Sequence, residues 1–145
     1  MIFLSIFASL FSGDKKTRMS KKRVLFVTQE MNPYTTISEI SSIVRKLAPF
    51  TQGKGMEVRV LMPKYGSINE RRHRLHEVVR LSGMNIIVDD DDFPLIIKVA
   101  SLPGARLQVY FLDNEEFFKR KYVFNDEKDK PFKDNQERMV FFCKG

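Results

Sequence analysis

One stretch of the sequence, from Val24 to Ile68, has the order of a strand, a loop, a helix and a second strand. Val24–Thr28 is a short apolar run with β-branched residues, which predicts a buried parallel strand. Glu57–Met62 predicts the second strand, and the Thr51–Gly55 segment before it supplies a glycine stop for the helix. Two strands joined in this way form a right-handed crossover. The stretch therefore predicts the first βαβ unit of a nucleotide-binding α/β domain.

The predicted helix between these strands has a one-sided apolar pattern. Thr36 or Ser38 is placed to cap its start, and Pro49 is placed to kink or end it. Apolar side chains at helical spacing form one stripe, which consists of Ile37, Ile40, Ile43, Val44 and Leu47. A stripe of this kind is expected to face the core.

The rest of the chain predicts shorter elements and has no internal repeat. We expect two hairpins. The first joins Leu75–Leu81 to Met84–Val88 around Ser82-Gly83, and the second joins Pro94–Ser101 to Ala105–Leu112. After them the sequence predicts a short helix, a charged loop and a last helix, at Asn114–Arg120, Tyr122–Lys133 and Asp134–Phe142.

Length and composition indicate one ordinary domain with a real core. The chain has 145 residues, of which 43% are hydrophobic and 30% charged, so global disorder is excluded as a description of the whole chain. The formal net charge is +7. Because the lysines and arginines are scattered and no RNA-reading aromatic motif is present, this charge favours a basic surface suited to anionic ligands such as sugar nucleotides. It argues against nucleic acid as a partner.

Cysteine and histidine usage argues against a disulfide or a metal centre. Cys143 is the only cysteine, which fits a reducing compartment, and we predict a cytoplasmic protein. In an apolar run, its thiol is expected to be packed rather than reactive. His73 and His76 lie three residues apart, but the arginines around them would repel a cation. We expect no metal and no other cofactor.

The first eighteen residues differ from the rest. Ile2–Phe11 is mostly apolar but is too short to span a bilayer, so no membrane partner is expected. The basic residues follow this run instead of preceding it, which is the wrong order for a signal peptide. We therefore expect Met1–Arg18 to be a disordered tail or an over-extended start, and residues 19–145 to form the domain.

Several segments together resemble one enzyme family. The strand V-L-F-V-T-Q-E at Val24–Glu30 is followed by the Pro-aromatic pair Pro33-Tyr34. Three further segments come after them: G-M-E-V-R-V-L-M-P-K-Y-G-S-I at Gly55–Ile68, V-Y-F-L-D-N at Val109–Asn114, and D-N-Q-E-R-M-V-F-F at Asp134–Phe142. In this order they resemble the amino-terminal catalytic domain of bacterial glycogen synthases and plant starch synthases. The resemblance covers roughly Lys21 to Gly145.

This resemblance implies a glycosyltransferase of GT-B architecture with two Rossmann-like halves. Such an enzyme moves glucose from ADP-glucose, or UDP-glucose in some relatives, to an α-1,4-glucan, with retention of configuration and without a metal. The nucleotide sugar would lie in the cleft between the halves. This chain would then be a Rossmann-like partial domain, the first half of the amino-terminal domain, and its implied partners are a sugar nucleotide, an α-glucan and a missing carboxyl-terminal domain or partner chain.

The sequence departs from the family at the loop after the first strand. The family carries a Lys-x-Gly-Gly loop there, whose glycines admit phosphate to the backbone and whose lysine supplies charge. The lysine falls on Thr36 in this sequence, and the two glycines fall on Ser38 and Glu39. Glu39 has the wrong sign for a pyrophosphate. We expect an altered donor loop at these three residues, or simply the opening of a helix.

The resemblance leaves two function classes open. The family's later histidine-containing loop and its second domain have no counterpart in this sequence, and the apolar end at Val140–Cys143 suggests that more protein should follow. The first hypothesis is a glucosyltransferase domain that is incomplete and inactive alone. The alternative is a non-catalytic regulatory module, derived from such an enzyme, that binds glucan or nucleotide.

Overall fold

The predicted βαβ unit is present in the structure, a computed structural model that describes residues 20–145. Strand β1 spans Arg23–Val27, helix α1 spans Ile40–Gly53 and strand β2 spans Glu57–Pro63. The two strands are adjacent and parallel, with Arg23 opposite Glu57. The expected tail, Met1–Arg18, lies outside the described residues.

The face that α1 presents to the sheet differs from the expectation. Ser41, Val44 and Ala48 are its buried residues. Four members of the predicted stripe are instead exposed by 39–52%, namely Ile37, Ile40, Ile43 and Leu47. The prediction was wrong because the spacing of apolar residues does not determine which face of the helix packs on the sheet. Ser41 and Ala48 have small side chains, which allow the helix to pack closely on the face that they share with Val44. Pro49 lies inside the helix, which continues to Gly53.

A mixed sheet forms the second half of the domain. It adds two short strands and two longer ones: β3 at His76–Glu77, β4 at Met84–Val88, β5 at Asp91–Ser101 and β6 at Gln108–Asp113. The strand order is β1-β2-β6-β5-β3, with β4 also paired to β5. Strand β6 is parallel to β2, whereas β5 is antiparallel to β6. The predicted hairpin between β5 and β6 is therefore confirmed.

The other predicted hairpin, around Ser82-Gly83, is wrong. The segment Val79–Leu81 forms a 3₁₀ turn, and β4 pairs with β5 through a tight turn at Asp89-Asp90. Asp89 adopts a left-handed backbone with φ of 54°, which aspartate tolerates better than most residues. The Ser82 hydroxyl accepts a 2.9 Å hydrogen bond from the Ile97 N–H, so the Ser82 side chain contacts the backbone of β5.

Two helices close the described chain. They are α3 at Glu115–Phe118 and α4 at Asn135–Lys144, and a four-residue helix, α2, lies earlier at Glu70–His73. Phe141 and Phe142 are buried, as their apolar character requires. Cys143 is exposed, contrary to the expectation that it would be packed. Among residues 20–145, no helix is both long and apolar enough to cross a membrane.

Candidate functional site

The candidate site lies where the three parallel strands end. Strands β1, β2 and β6 run in the same direction, so their carboxyl ends lie along one edge of the sheet. In open α/β sheets this edge is where ligands bind. Three segments leave it: the loop after Thr28, the loop after Pro63, and the turn at Asn114 that opens α3.

The loop after β1 is organised by the buried carboxylate of Glu30. Glu30 is 5% exposed, and its Oε2 accepts hydrogen bonds from the backbone N–H groups of Ile37 at 2.6 Å and Ser38 at 2.7 Å. The Ser38 hydroxyl donates to the other carboxylate oxygen. Burial favours the protonated form, but the hydrogen bonds from Ser38 and Ile37 outweigh it and hold the pKa of Glu30 below its usual value.

The three predicted site residues lie in this loop and are all exposed. Thr36 donates its hydroxyl to Asn32, and Ser38 accepts the N–H of Ile40 at 3.2 Å, which satisfies one free amide of the first helical turn. Glu39 is the N-cap residue of α1 and makes no capping bond with its side chain. The loop therefore brings the three residues together, and sequence reasoning missed the carboxylate that holds them there.

The backbone amides before α1 already have an anionic partner. Such amides are the groups that hold phosphate when a glycine-rich loop precedes a helix. Here the N–H groups of Ile37 and Ser38 are both bonded to Glu30. A phosphate would have to displace a buried carboxylate in order to reach them.

A cleft of about 500 Å³ opens at the carboxyl ends of β2 and β6. Its lining is strongly charged: five side chains are cationic and three are anionic, which leaves a net formal charge of +2. The lining residues are Lys64, Gly66, Ile68, Glu70, Lys98, Asp113, Glu115, Lys119, Arg120 and Lys121. A cleft with an excess of positive charge and low-dielectric walls attracts anionic ligands.

Two lysines meet one carboxylate oxygen inside the cleft. Glu70 Oε1 lies 2.8 Å from Lys64 Nζ and 2.8 Å from Lys98 Nζ. Lys98 Nζ also lies 2.8 Å from Oδ2 of Asp113. Burial disfavours the charge of Lys98, yet the hydrogen bonds to Asp113 and Glu70 outweigh burial and raise the pKa of Lys98. Burial favours the protonated form of Glu70, but the hydrogen bonds from Lys64 and Lys98 outweigh burial and lower the pKa of Glu70.

The far wall of the cleft depends on Gly66. A Cβ at this position would lie 2.2 Å from the backbone oxygen of Arg120 and 2.8 Å from that of Phe118. Only glycine allows the two segments to approach this closely. Arg120 is in turn held by Asp134, whose carboxylate pairs with its guanidinium. The hydrogen bond between them is the main cause that raises the pKa of Arg120 and lowers the pKa of Asp134.

Behind this wall, Arg138 is fully buried, and no salt bridge joins it to an acidic side chain within residues 20–145. Its guanidinium donates to the carbonyl oxygens of Phe117 at 2.7 Å and Val123 at 2.6 Å, and to Asn135 Oδ1 at 2.8 Å. It also lies within 6 Å of three aromatic rings, those of Tyr65, Phe118 and Phe132. Burial lowers the pKa of Arg138 from a very high usual value, and the side chain ties α4 to the segment after α3.

The two histidines that the sequence spaces three residues apart lie in different elements. His73 lies in α2 against the ring of Tyr34, at a centroid distance of 5.0 Å, whereas His76 lies in β3 and is exposed. Across the described part of the chain, no group of three or more histidine, cysteine, aspartate or glutamate side chains is arranged to hold a metal ion.

This chain is similar to known proteins in both sequence and structure. The sequence pattern of the family described as the starch synthase catalytic domain matches residues 23–145. The glycogen synthases of Chlorobium limicola and Chlorobaculum tepidum are each 39% identical to this chain over 124 residues, which is 85% of this chain. That match covers 25% of each relative, so the chain spans about a quarter of their length.

A solved structure supports the fold. The catalytic domain of starch synthase IV from Arabidopsis thaliana, bound to ADP and acarbose, superposes with a TM-score of 0.65 over 81% of this chain and 23% of its own. At 21% identity, this likeness shows the fold alone. It agrees with a mixed α/β sheet that forms part of a GT-B glycosyltransferase. Because the family pattern covers nearly the whole described chain, the chain belongs to the starch synthase catalytic domain family.

Proposed function

We propose that this chain supplies the first half of the amino-terminal domain of a cytoplasmic glucosyltransferase that extends an α-1,4-glucan from a sugar nucleotide. The observation that carries the proposal is the charged cleft at the carboxyl ends of β2 and β6. The cleft lies at the edge of the sheet where α/β proteins bind ligands, in a chain that belongs to the starch synthase catalytic domain family. Its positive excess suits the phosphates of a nucleotide, and its carboxylates suit sugar hydroxyls.

Glucosyl transfer requires more than the cleft that this chain provides. Departure of a nucleotide develops negative charge that must be stabilised by preorganised donors in a water-excluded site. The described residues offer lysines in an open cleft and a loop whose amides are bonded to Glu30. We therefore expect the isolated chain to bind substrates weakly and to be inactive without a partner that completes the cleft.

The altered loop favours a second candidate function. By the resemblance, Thr36, Ser38 and Glu39 take the place of a Lys-x-Gly-Gly loop, and the adjacent amides of Ile37 and Ser38 are already hydrogen-bonded to Glu30. Loss of donor binding with retention of the fold would leave a non-catalytic module. Such a module would still bind glucan or nucleotide through the cleft and would regulate a complete enzyme.

One experiment separates the two functions. Pure chain is incubated with glycogen and labelled ADP-glucose, alone and together with a glycogen synthase of Chlorobium limicola from which the matching 124 residues have been removed. Recovery of incorporation only in the mixture supports the half-enzyme function. Glycogen or nucleotide binding without incorporation in the mixture supports the regulatory module. Incorporation by the pure chain alone would contradict the proposed incompleteness.

The intact glycogen synthase of the same organism, assayed in parallel, shows that the conditions permit transfer. A second control is the mixture made with a chain that carries Gly66→Ala, because this change is expected to disturb the cleft wall. Equal rescue by both chains would indicate that rescue comes from the truncated partner itself and not from the cleft described here.

A further inference from the structure

The contact between Lys64, Lys98 and Glu70 has the geometry of an occupied anion site. Both ammonium groups lie 2.8 Å from a single oxygen atom, Glu70 Oε1. The two lysine side chains are only 10% and 17% exposed, whereas the Glu70 side chain is 41% exposed. The cations are thus fixed in the wall of the cleft, and the anion between them comes from its solvent side.

From this arrangement we propose that Lys64 and Lys98 bind the phosphate group of a small ligand and that Glu70 occupies this site when no ligand is present. The oxygen of Glu70 marks where one phosphate oxygen would lie. The ligand class is a phosphate monoester or diphosphate, as found in sugar phosphates and nucleotides. Glu70 then acts as an internal competitor that lowers the affinity for phosphate.

Glu70 is placed so that it can leave. It is the first residue of α2, a helix of four residues on the surface whose C-cap residue, Arg74, has a left-handed backbone with φ of 54°. A half-exposed carboxylate that moves into water regains its hydration at small cost, whereas a buried lysine left without an anion would not. Displacement by a ligand anion keeps Lys64 and Lys98 paired at every stage.

Asp113 keeps Lys98 paired in both states of the proposed site. Its side chain is 9% exposed and stays paired with Lys98. If Glu70 moves away, Lys98 therefore retains one anionic partner, and Lys64 loses its only ion-pair partner among the described residues. A bound phosphate would restore charge balance at Lys64 and accept hydrogen bonds from both ammonium groups.

The remaining cations of the cleft extend the site. Lys119, Arg120 and Lys121 line the opposite side, and Lys119 and Lys121 are exposed there. They would contact a second phosphate or guide an anion inward. This inference rests on the proposed function, since it assigns phosphate binding to two residues of the same cleft, but its test measures phosphate binding without glucosyl transfer.

The test is titration of the full chain with inorganic phosphate, with ADP and with glucose 6-phosphate, followed by NMR of the lysine ammonium-bearing carbons and by calorimetry. Maltose serves as the uncharged control ligand. We expect all three phosphate-bearing probes to shift the Lys64 and Lys98 signals, and maltose to leave them unchanged. A response to ADP and glucose 6-phosphate that exceeds the response to phosphate would show that the sugar or base adds contacts.

Two variants decide the role of Glu70. Glu70→Gln removes the competing charge and keeps the shape, so phosphate should bind about tenfold more tightly. Lys64→Met should weaken binding by about tenfold or more, because one of the two donors is lost. Lys46→Met is the matched control, since Lys46 is exposed on α1 and does not line the cleft; it should change the affinity by less than about twofold through net charge alone.

A purely structural ion-pair network gives the opposite result. In that case Glu70→Gln would lower the melting temperature without a gain in phosphate affinity, and Lys64→Met would behave like Lys46→Met in the titrations. Either outcome overturns the proposal, as does the absence of any phosphate response in both the unaltered chain and Glu70→Gln. If Lys64→Met fails to fold, Glu70→Gln alone decides between the two.

Discussion

The Glu30 carboxylate accepts a 2.7 Å hydrogen bond from the backbone N–H of Ser38, eight residues further along the chain. With the bond from Ile37, this contact folds the loop after β1 back on the end of the strand. The same contact bonds an internal anion to two backbone amides just before α1, and amides in that position are the kind that hold phosphate when a glycine-rich loop precedes a helix.

The first prediction concerns the pH dependence that Glu30 confers. Its pKa is lower in the folded chain than the usual 4.5, so the carboxylate stabilises the fold fully at pH values above 4.5. This contribution is lost as the pH falls through the lowered pKa. Glu30→Gln should reduce the free energy of unfolding at pH 7 by about 1–3 kcal/mol, since it removes the charge from three charge-assisted hydrogen bonds.

Urea denaturation at pH 7 and at pH 3 measures this effect. The difference between the two proteins should shrink at the lower pH, where the native carboxyl is increasingly protonated. Glu39→Gln is the matched control, because Glu39 lies in the same loop but is exposed, and it should leave stability within about 0.5 kcal/mol. A difference for Glu30→Gln that is constant with pH would show that the charge is irrelevant.

The second prediction concerns the close approach at Gly66. Gly66→Ala would bring a Cβ to 2.2 Å from the Arg120 backbone oxygen, so one segment must move. Overpacking of this kind costs about 1–3 kcal/mol. Gly53→Ala is the control, because nothing lies within 4 Å of its added Cβ and alanine favours a helix. Thermal unfolding should therefore separate the two variants in opposite directions, and equal melting temperatures would contradict the contact.

Much of the fold could be predicted from local patterns. The βαβ unit carried strong local signals, because strand, helix and turn residues agreed along Val24–Ile68. The hairpin around Ser82-Gly83 was wrong because β4 finds a better partner in β5, which is a tertiary choice that local glycine cannot reveal. The buried face of α1 was wrong for the same reason: Ile40 and Val44 are equally apolar, and only the sheet decides between them.

The candidate site was only partly visible in the sequence. Thr36, Ser38 and Glu39 could be placed by comparison with a known motif, and whether they bind a donor stays a prediction. Lys64, Glu70, Lys98 and Asp113 are spread over about fifty residues of sequence, and the pairing of β6 with β2 and with β5 brings them together. Charged residues at strand ends, such as Lys64 after β2 and Asp113 at the end of β6, were the available signal.

The third prediction concerns Arg138, which is fully buried and bonded to three oxygen atoms. Arg138→Met should destabilise the fold by about 3–5 kcal/mol because it leaves two buried carbonyls and an amide oxygen without donors. Arg138→Lys should also be destabilised, since a single ammonium cannot match the fork geometry. Arg80→Lys, at an exposed position, is the control for chemical denaturation. A small loss for Arg138→Met would show that water replaces the guanidinium.

The last prediction concerns the altered loop and its affinity for ADP-glucose. The unaltered chain should show no binding below about millimolar concentration, because a lysine contact worth about 1.5–3 kcal/mol is missing at Thr36. Side chains at Ser38 and Glu39 also obstruct the backbone, and Glu39 adds repulsion. Calorimetric titration measures this affinity directly. The triple change Thr36→Lys, Ser38→Gly and Glu39→Gly should improve it.

The hydrogen bonds between Glu30 and the loop suggest a further variant for this titration. Ser38→Gly removes the hydroxyl that donates to Glu30, so the triple change also loosens the internal anion. Adding Glu30→Gln to the triple change should improve ADP-glucose binding further, because the amides of Ile37 and Ser38 then face a neutral group. Gln136→Lys, which adds the same charge as Thr36→Lys at an exposed position outside the loop, is the control. Tight binding by the unaltered chain would show that another group supplies the charge, and no gain from any loop variant would place the missing energy outside this loop.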